Sequence, residues 1–196
     1  MEFSSGHELK EIRFHTSGGS ADIRIISVSV ASAVPTWGTA ITSMFIHGGW
    51  IHLIGNMLYL WVFGDNIEDR FGHVKFLLFY LGAGLAAIWA QVSFNSDSQV
   101  PMVGASGAIS GVTGAYLVLF PFGRIRTLVL FVFVMVIELP AIVVLGFWFV
   151  IQIFQGVGSL GTLDGGVAYW AHVGGFIVGI LIAFIYKILS RLMFRT

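Results

Sequence analysis

The apolar residues of this 196-residue chain come in long runs, not in the alternating or three-to-four-residue stripes of half-buried strands and helices. A helix needs about 20 mostly apolar residues to cross a bilayer. Residues 50–64, 74–92, 106–120 and 167–189 read as such helices. A fifth apolar stretch, 127–154, is too long for one upright helix and is interrupted by Glu138 and Pro140, and proline breaks or kinks a helix. It divides into a membrane-embedded connection, 127–137, and a span, 141–154. The pattern predicts an all-α polytopic membrane protein with five clear transmembrane helices.

Ahead of the first run, residues 1–34 form a polar to weakly apolar segment, and the first ~20 residues carry no cleavable signal peptide. Stretch 23–34 is apolar but short and contains Arg24 and several serines. A truncated helix or a surface-lying segment is expected there. The membrane domain covers 35–190, and 191–196 is a cytoplasmic tail.

Composition agrees. Hydrophobic residues make up 57% of the chain and charged residues 10%, and mean hydropathy is +0.90, whereas a soluble domain is nearer a quarter charged. Ten basic residues balance ten acidic ones, so no nucleic-acid partner is expected. The absence of cysteine excludes disulfides, thiolate catalysis and Cys-ligated metal. The distribution of charge then sets orientation. Arg70 and Lys75, Arg124 and Arg126, and Lys187, Arg191 and Arg195 follow alternate spans, while 93–103 and 155–166 contain no Lys or Arg. Positive loops stay cytoplasmic, which puts the two loops without Lys or Arg outside. A prokaryotic cell membrane fits most simply.

This topology gathers polar residues at one depth. "FIHGGWIHLIGNM" brings His47, His52 and Asn56 into the first span from outside, "VGASGAISGVTGAY" starts the third span at Ser106, and "AYWAHVGGFIVG" starts the fifth with His172. At about 1.5 Å rise per residue, all lie within a few turns of the outer surface. Serine and glycine often serve helix packing, and a lone buried histidine is often structural. Polar groups inside a membrane are nevertheless costly and commonly functional, and here they assemble. His52 and Asn56, four apart, share a helix face. Gly107, Gly111 and Gly114 smooth one face of the third span; His172, Gly175 and Gly179 lie on one face of the fifth. Small faces let helices approach closely, which sets Ser106 beside His172.

A serine hydroxyl becomes a nucleophile when a base takes its proton, and neutral histidine suits that role. The Ser106 N–H, His52 and Asn56 are candidate oxyanion donors. Asp164 is the only acidic candidate for a third member, so a Ser–His dyad is the better reading. No H-E-x-x-H run is present, and the histidines lack carboxylate partners, so neither metal nor cofactor is expected. A proton-relaying channel would need ionisable groups along a whole pathway, and these stop at one depth.

"HGGWIHLIGN", "GASG" and "AHVGGFIVG", in that order on successive outer helix ends, resemble the rhomboid family of intramembrane serine proteases. "LYLWVFGDNIEDRFG" is similar to the family's stretch after its second helix, and the likeness covers about 35–189. The resemblance implies Ser106 as nucleophile, His172 as general base and then acid, and an oxyanion hole of the Ser106 amide, His52 and Asn56. It implies that Gly104 and Gly107 shape the turn, Gly175 and Gly179 make the helix contact, and His47 is structural. Glu68, with Trp61 and Arg70, falls in the family's structured region between helices; a plain cytoplasmic-face ion pair is the simpler reading of Glu68.

Implied substrates are single-pass transmembrane helices cut near the outer surface, with the bilayer itself the other partner. The loop 155–166 resembles a flexible cap, and the span with Trp148 and Phe154 a lateral gate. A catalytically inactive relative that binds transmembrane helices is the alternative. Two features depart from the family. Its usual first helix and long loop are missing or shortened here, 23–34 being at most a remnant. Ser110 also stands where some relatives stack an aromatic on the histidine, so His172 must be oriented otherwise, as by packing beside Gly175.

Overall fold

The computed structural model describes residues 6–17, 20–31, 36–95, 102–130, 134–160 and 167–193, with side chains from residue 38 onward except 130. Two compact units, Met1–Ala40 and Ile41–Thr196, divide the chain. In the first, β1 (Gly6–Ser17) and β2 (Ser20–Ala31) pair antiparallel, from Gly6 opposite Ala31 to Ser17 opposite Ser20. The short helix or surface segment expected over 23–34 is therefore a strand up to Ala31. The period explains why: Ile26, Val28 and Val30 alternate with Ser27 and Ser29, which is the two-residue repeat of a strand. The division between units falls within α1 (Thr36–Thr42).

The second unit is helical apart from one hairpin. α2 (Trp50–Tyr59) passes through a π-helical turn, Leu60–Gly64, into α3 (Asp65–Phe71). Gly72, at φ +80°, ends α3 by donating its N–H to the Glu68 carbonyl at 2.7 Å, the left-handed stop that glycine adopts freely. α4 (His73–Phe94), α5 (Ser106–Leu119), α6 (Ala141–Gly158) and α7 (Tyr169–Met193) follow, with β3 (Arg124–Leu130) and β4 (Val134–Pro140) between α5 and α6.

Among the described residues, three helices are long and apolar enough to cross a membrane: α4, α6 and α7. The expected five spans reduce to these by length and composition. α5, at 14 residues and about 1.5 Å each, reaches about 21 Å, short of the ~30 Å hydrocarbon core. It compensates by position, since Ala108 through Tyr116 are buried without a break. α2 falls short because its helix runs on into Asp65, Glu68, Asp69 and Arg70. Large apolar side chains such as Ile51, Leu78, Phe147 and Phe184 are exposed on α2, α4, α6 and α7, as suits helices whose solvent is lipid.

The connection over 127–137 also differs from expectation. It is an antiparallel hairpin, Arg124 opposite Pro140, with Arg124 and Arg126 on Glu138 at 3.4 and 3.5 Å. Its β-branched residues favour strand. The connection is therefore built as paired strands, a conformation that a count of apolar residues does not reveal. Glu68 pairs with His73, Oε1 to Nδ1 at 2.6 Å, while the Arg70 guanidinium lies 5.1 Å from the Phe120 ring centre.

α5 sits between α4 and α7, and small residues set the spacing. A Cβ on Gly175 would strike the Gly107 carbonyl oxygen, one on Gly179 the Gly111 carbonyl oxygen, and one on Gly114 the Phe176 carbonyl oxygen. On the other side, Gly107 and Gly111 rest on Ala87 and Ala83 of α4. Gly179→Ala is expected to cost at least about 1–3 kcal/mol, because the obstacle is backbone. Gly146→Ala, facing open space in α6, should gain about 0.5–1 kcal/mol. Thermal unfolding of both variants in detergent compares the two.

Candidate active site

Ser106 is the first residue of α5, reached through a turn that glycine makes possible. Gly104 has φ +116° and donates its N–H to the Ser43 carbonyl at 2.9 Å. A Cβ there would lie 2.6 Å from His52 Cε1 and 2.8 Å from His52 Nε2. Both the backbone conformation and the imidazole thus exclude a side chain.

His172 lies in the first turn of α7. Its Nε2 is 2.8 Å from Ser106 Oγ, and its Nδ1 is 2.7 Å from Gln152 Oε1 of α6. The preceding residue is held from a third helix, because Ala171 N–H donates to Gln91 Oε1 of α4 at 3.1 Å. The same N–H is shared with the Ala168 carbonyl at 3.1 Å.

His52 and Asn56 face the same space from α2. His52 Nδ1 accepts the Gly48 N–H at 3.4 Å. Asn56 is buried, and its Nδ2 has no hydrogen-bond partner among the described residues. Ser106, His172, His52 and Asn56 line one cavity of about 290 Å³, together with Ile51, Tyr59 and Trp148 among others. His47 does not line it. Its ring meets His52 edge-on, 5.2 Å between centres, and its buried Nε2 has no partner among the described residues.

Gln152 and Gln91 are absent from the candidates drawn from sequence, and Trp148 was named there as part of a lateral gate rather than of the site. The signal for both glutamines was their polarity inside apolar runs. The Trp148 ring centre is 5.8 Å from that of His172 and 5.9 Å from that of Phe176, so this residue turns toward the cavity, whereas Phe154 is exposed. Ser110 bonds within its own helix, its Oγ donating to the Ser106 carbonyl at 2.7 Å. The contacts on the His172 ring thus come from α6, where packing beside Gly175 had been expected to orient it. Of the expected cap 155–166, the first four residues are the last turn of α6; Asp164 lies outside the described residues.

A family model, the Rhomboid domain, matches residues 35–188. The chain belongs to the rhomboid family. It is 36% identical to "Rhomboid protease GluP" of Bacillus subtilis (strain 168) over 141 residues, 70% of this chain and 26% of that protein. To "RHOMBOID-like protein 6, mitochondrial" of Arabidopsis thaliana it is 34% identical over 150 residues, 74% of this chain and 42% of that one. "Rhomboid protein 1, mitochondrial" of Saccharomyces cerevisiae matches at 32% over 147 residues, 72% and 39% respectively. The chain thus spans less than half the length of these relatives. Bacterial and mitochondrial proteins both match, so the kinship does not favour a prokaryotic membrane. With its apolar helices, the rhomboid domain makes this a multi-pass membrane protein.

Gly104→Ala is expected to destabilise the protein by about 1–3 kcal/mol, the cost of a strained backbone to which the blocked imidazole adds. Gly48→Ala, whose Cβ would meet only His52 Nδ1 at 3.9 Å, should be close to neutral. Paired melting curves in the same detergent decide it.

Proposed function

We propose that this chain is an intramembrane serine endopeptidase that cuts transmembrane helices with a Ser106–His172 dyad. The observation that carries the reading is the 2.8 Å contact between Ser106 Oγ and His172 Nε2 beside a cavity. Membership of the rhomboid family supports the protease class.

In the acylation step, Ser106 Oγ attacks the scissile carbonyl carbon while its proton passes to His172 Nε2. The oxyanion receives hydrogen bonds from the Ser106 N–H, at the positive end of α5, and from His52 and Asn56. With its Nδ1 accepting from Gly48, His52 holds its proton on Nε2, the nitrogen nearest Gly104. Asn56 Nδ2 is a buried donor without a partner, a condition that costs about 1–3 kcal/mol and that an oxyanion would relieve. His172 then gives its proton to the leaving amine, the amide bond breaks, and an acyl-serine remains. Water attacks that ester, with His172 again taking and returning a proton.

The substrate is a single-pass transmembrane helix, unwound at small or helix-breaking residues so that a peptide bond reaches the dyad. The catalytic domain is 35–190, with α2 and the short α5 completing a five-helix bundle around the three long spans. The absence of Lys and Arg from the loops 93–103 and 155–166 favours a cavity at the outer face. Gly104, Gly107, Gly175 and Gly179 hold the geometry, and His47 backs His52.

A fluorophosphonate probe should label Ser106 in the detergent-purified chain and fail with Ser106→Ala and His172→Ala. Cleavage of a model transmembrane helix should fall with the labelling. Asn56→Ala should lower the cleavage rate about 10²–10³-fold, the usual loss for one oxyanion donor. A folded parent that is never labelled would leave the helix-binding, non-cleaving alternative in its place.

A further inference from the structure

The polar residue that the proposed chemistry leaves unused is Gln152. It is 6% exposed, in a helix whose other residues from Ala141 to Phe154 are apolar. A buried amide costs free energy unless it is bonded, and this one is bonded to one specific atom: its Oε1 lies 2.7 Å from His172 Nδ1. The opposite ring nitrogen is the one 2.8 Å from Ser106 Oγ. The imidazole is thus held at both ends, and Trp148, four residues before Gln152 and so on the same face of α6, covers it at 5.8 Å.

We infer that Gln152 is a positioning residue that fixes the tautomer and ring orientation of His172; the inference rests on the dyad proposed above. An amide oxygen only accepts. The proton of neutral His172 is therefore on Nδ1, donated to Gln152, and Nε2 is left bare to accept from the Ser106 hydroxyl. The reverse tautomer would present an N–H to that hydroxyl and could not take its proton. Because a neutral histidine carries its proton on either nitrogen, the hydrogen bond made by one sets what the other can do.

The test uses the full chain in detergent, with histidine ring nitrogens labelled with ¹⁵N and the His172 signals assigned through His172→Ala. Gln152→Leu keeps similar bulk and removes the acceptor. In the parent, His172 should show one tautomer, protonated on Nδ1. In Gln152→Leu, both tautomers should appear, and fluorophosphonate labelling should slow about 10- to 100-fold, as when other histidines lose an orienting partner. Gln152→Glu restores an acceptor and should restore the single tautomer and most of the labelling rate.

A leucine variant that keeps the Nδ1–H tautomer, or labels at the parent rate, overturns the inference, as does a glutamate variant that restores neither. A loss of thermal stability with the tautomer unmoved would assign Gln152 to packing alone and overturn it equally. If Gln152→Leu does not fold, Gln152→Met takes its place. A parent that is never labelled counts against the dyad, and the nitrogen spectra still decide the role of Gln152.

Discussion

Everything at this site depends on how closely α5 and α7 approach. Lipid offers helices no hydrophobic reason to associate, so contact must come from packing and backbone proximity. Here the missing Cβ atoms of Gly114, Gly175 and Gly179 let each helix rest on the other's carbonyl oxygens. Only at that separation can the short side chain of Ser106 reach a ring on the next helix. The 2.8 Å bond between residues 66 apart in sequence is thus a consequence of glycines up to about two turns away. Alanine on α4 continues the same logic on the far side, with Ala83 and Ala87 under Gly111 and Gly107.

Close packing sets distance but not rotation, and the histidine needs both. Three other helices meet around it. α4 fixes the start of α7 through Gln91, α6 supplies Gln152 and Trp148, and α5 supplies Ser106. α2 contributes from the opposite wall, where Gly104 allows His52 to sit against the turn before the serine. Gly104 holds a backbone conformation that only glycine adopts freely, and the Asn56 amide, without a partner among the described residues, costs stability in the resting protein. Their presence beside one cavity suits a site arranged around a charge that forms during reaction.

Much of this was legible in the sequence because glycine spacing, apolar run length and polar interruptions each have a direct physical meaning. The positions of Ser106, His172, His52 and Asn56 about a common space followed from helix rise and chain direction. The strand conformation of residues 23–31, 124–130 and 134–140 was not read from the sequence, because short β-branched runs satisfy a hydropathy count whether they are strand or helix, and only the period separates them. Of the five expected spans, three have the length and composition to cross a membrane by themselves, because hydropathy cannot tell a helix that faces lipid from one enclosed by protein, as α5 is. Gln152 was missed because a lone polar residue in an apolar run announces a partner without naming it.

The identity of that partner bears on why an acidic residue need not be there. In a water-filled cleft, a carboxylate beside the histidine both orients it and stabilises its cation. Inside a membrane, an ionised carboxylate costs about 2.5–3.5 kcal/mol on insertion scales, and it would have to be held in place with the site empty. A glutamine amide offers the same accepting oxygen at 2.7 Å without a charge. It gives up part of the stabilisation of the imidazolium and keeps the tautomer. The helix that carries it can then remain apolar along its outer face, as α6 does at Phe147, Val150 and Phe154. A neutral orienting group is therefore the arrangement that reconciles serine chemistry with a lipid-facing helix.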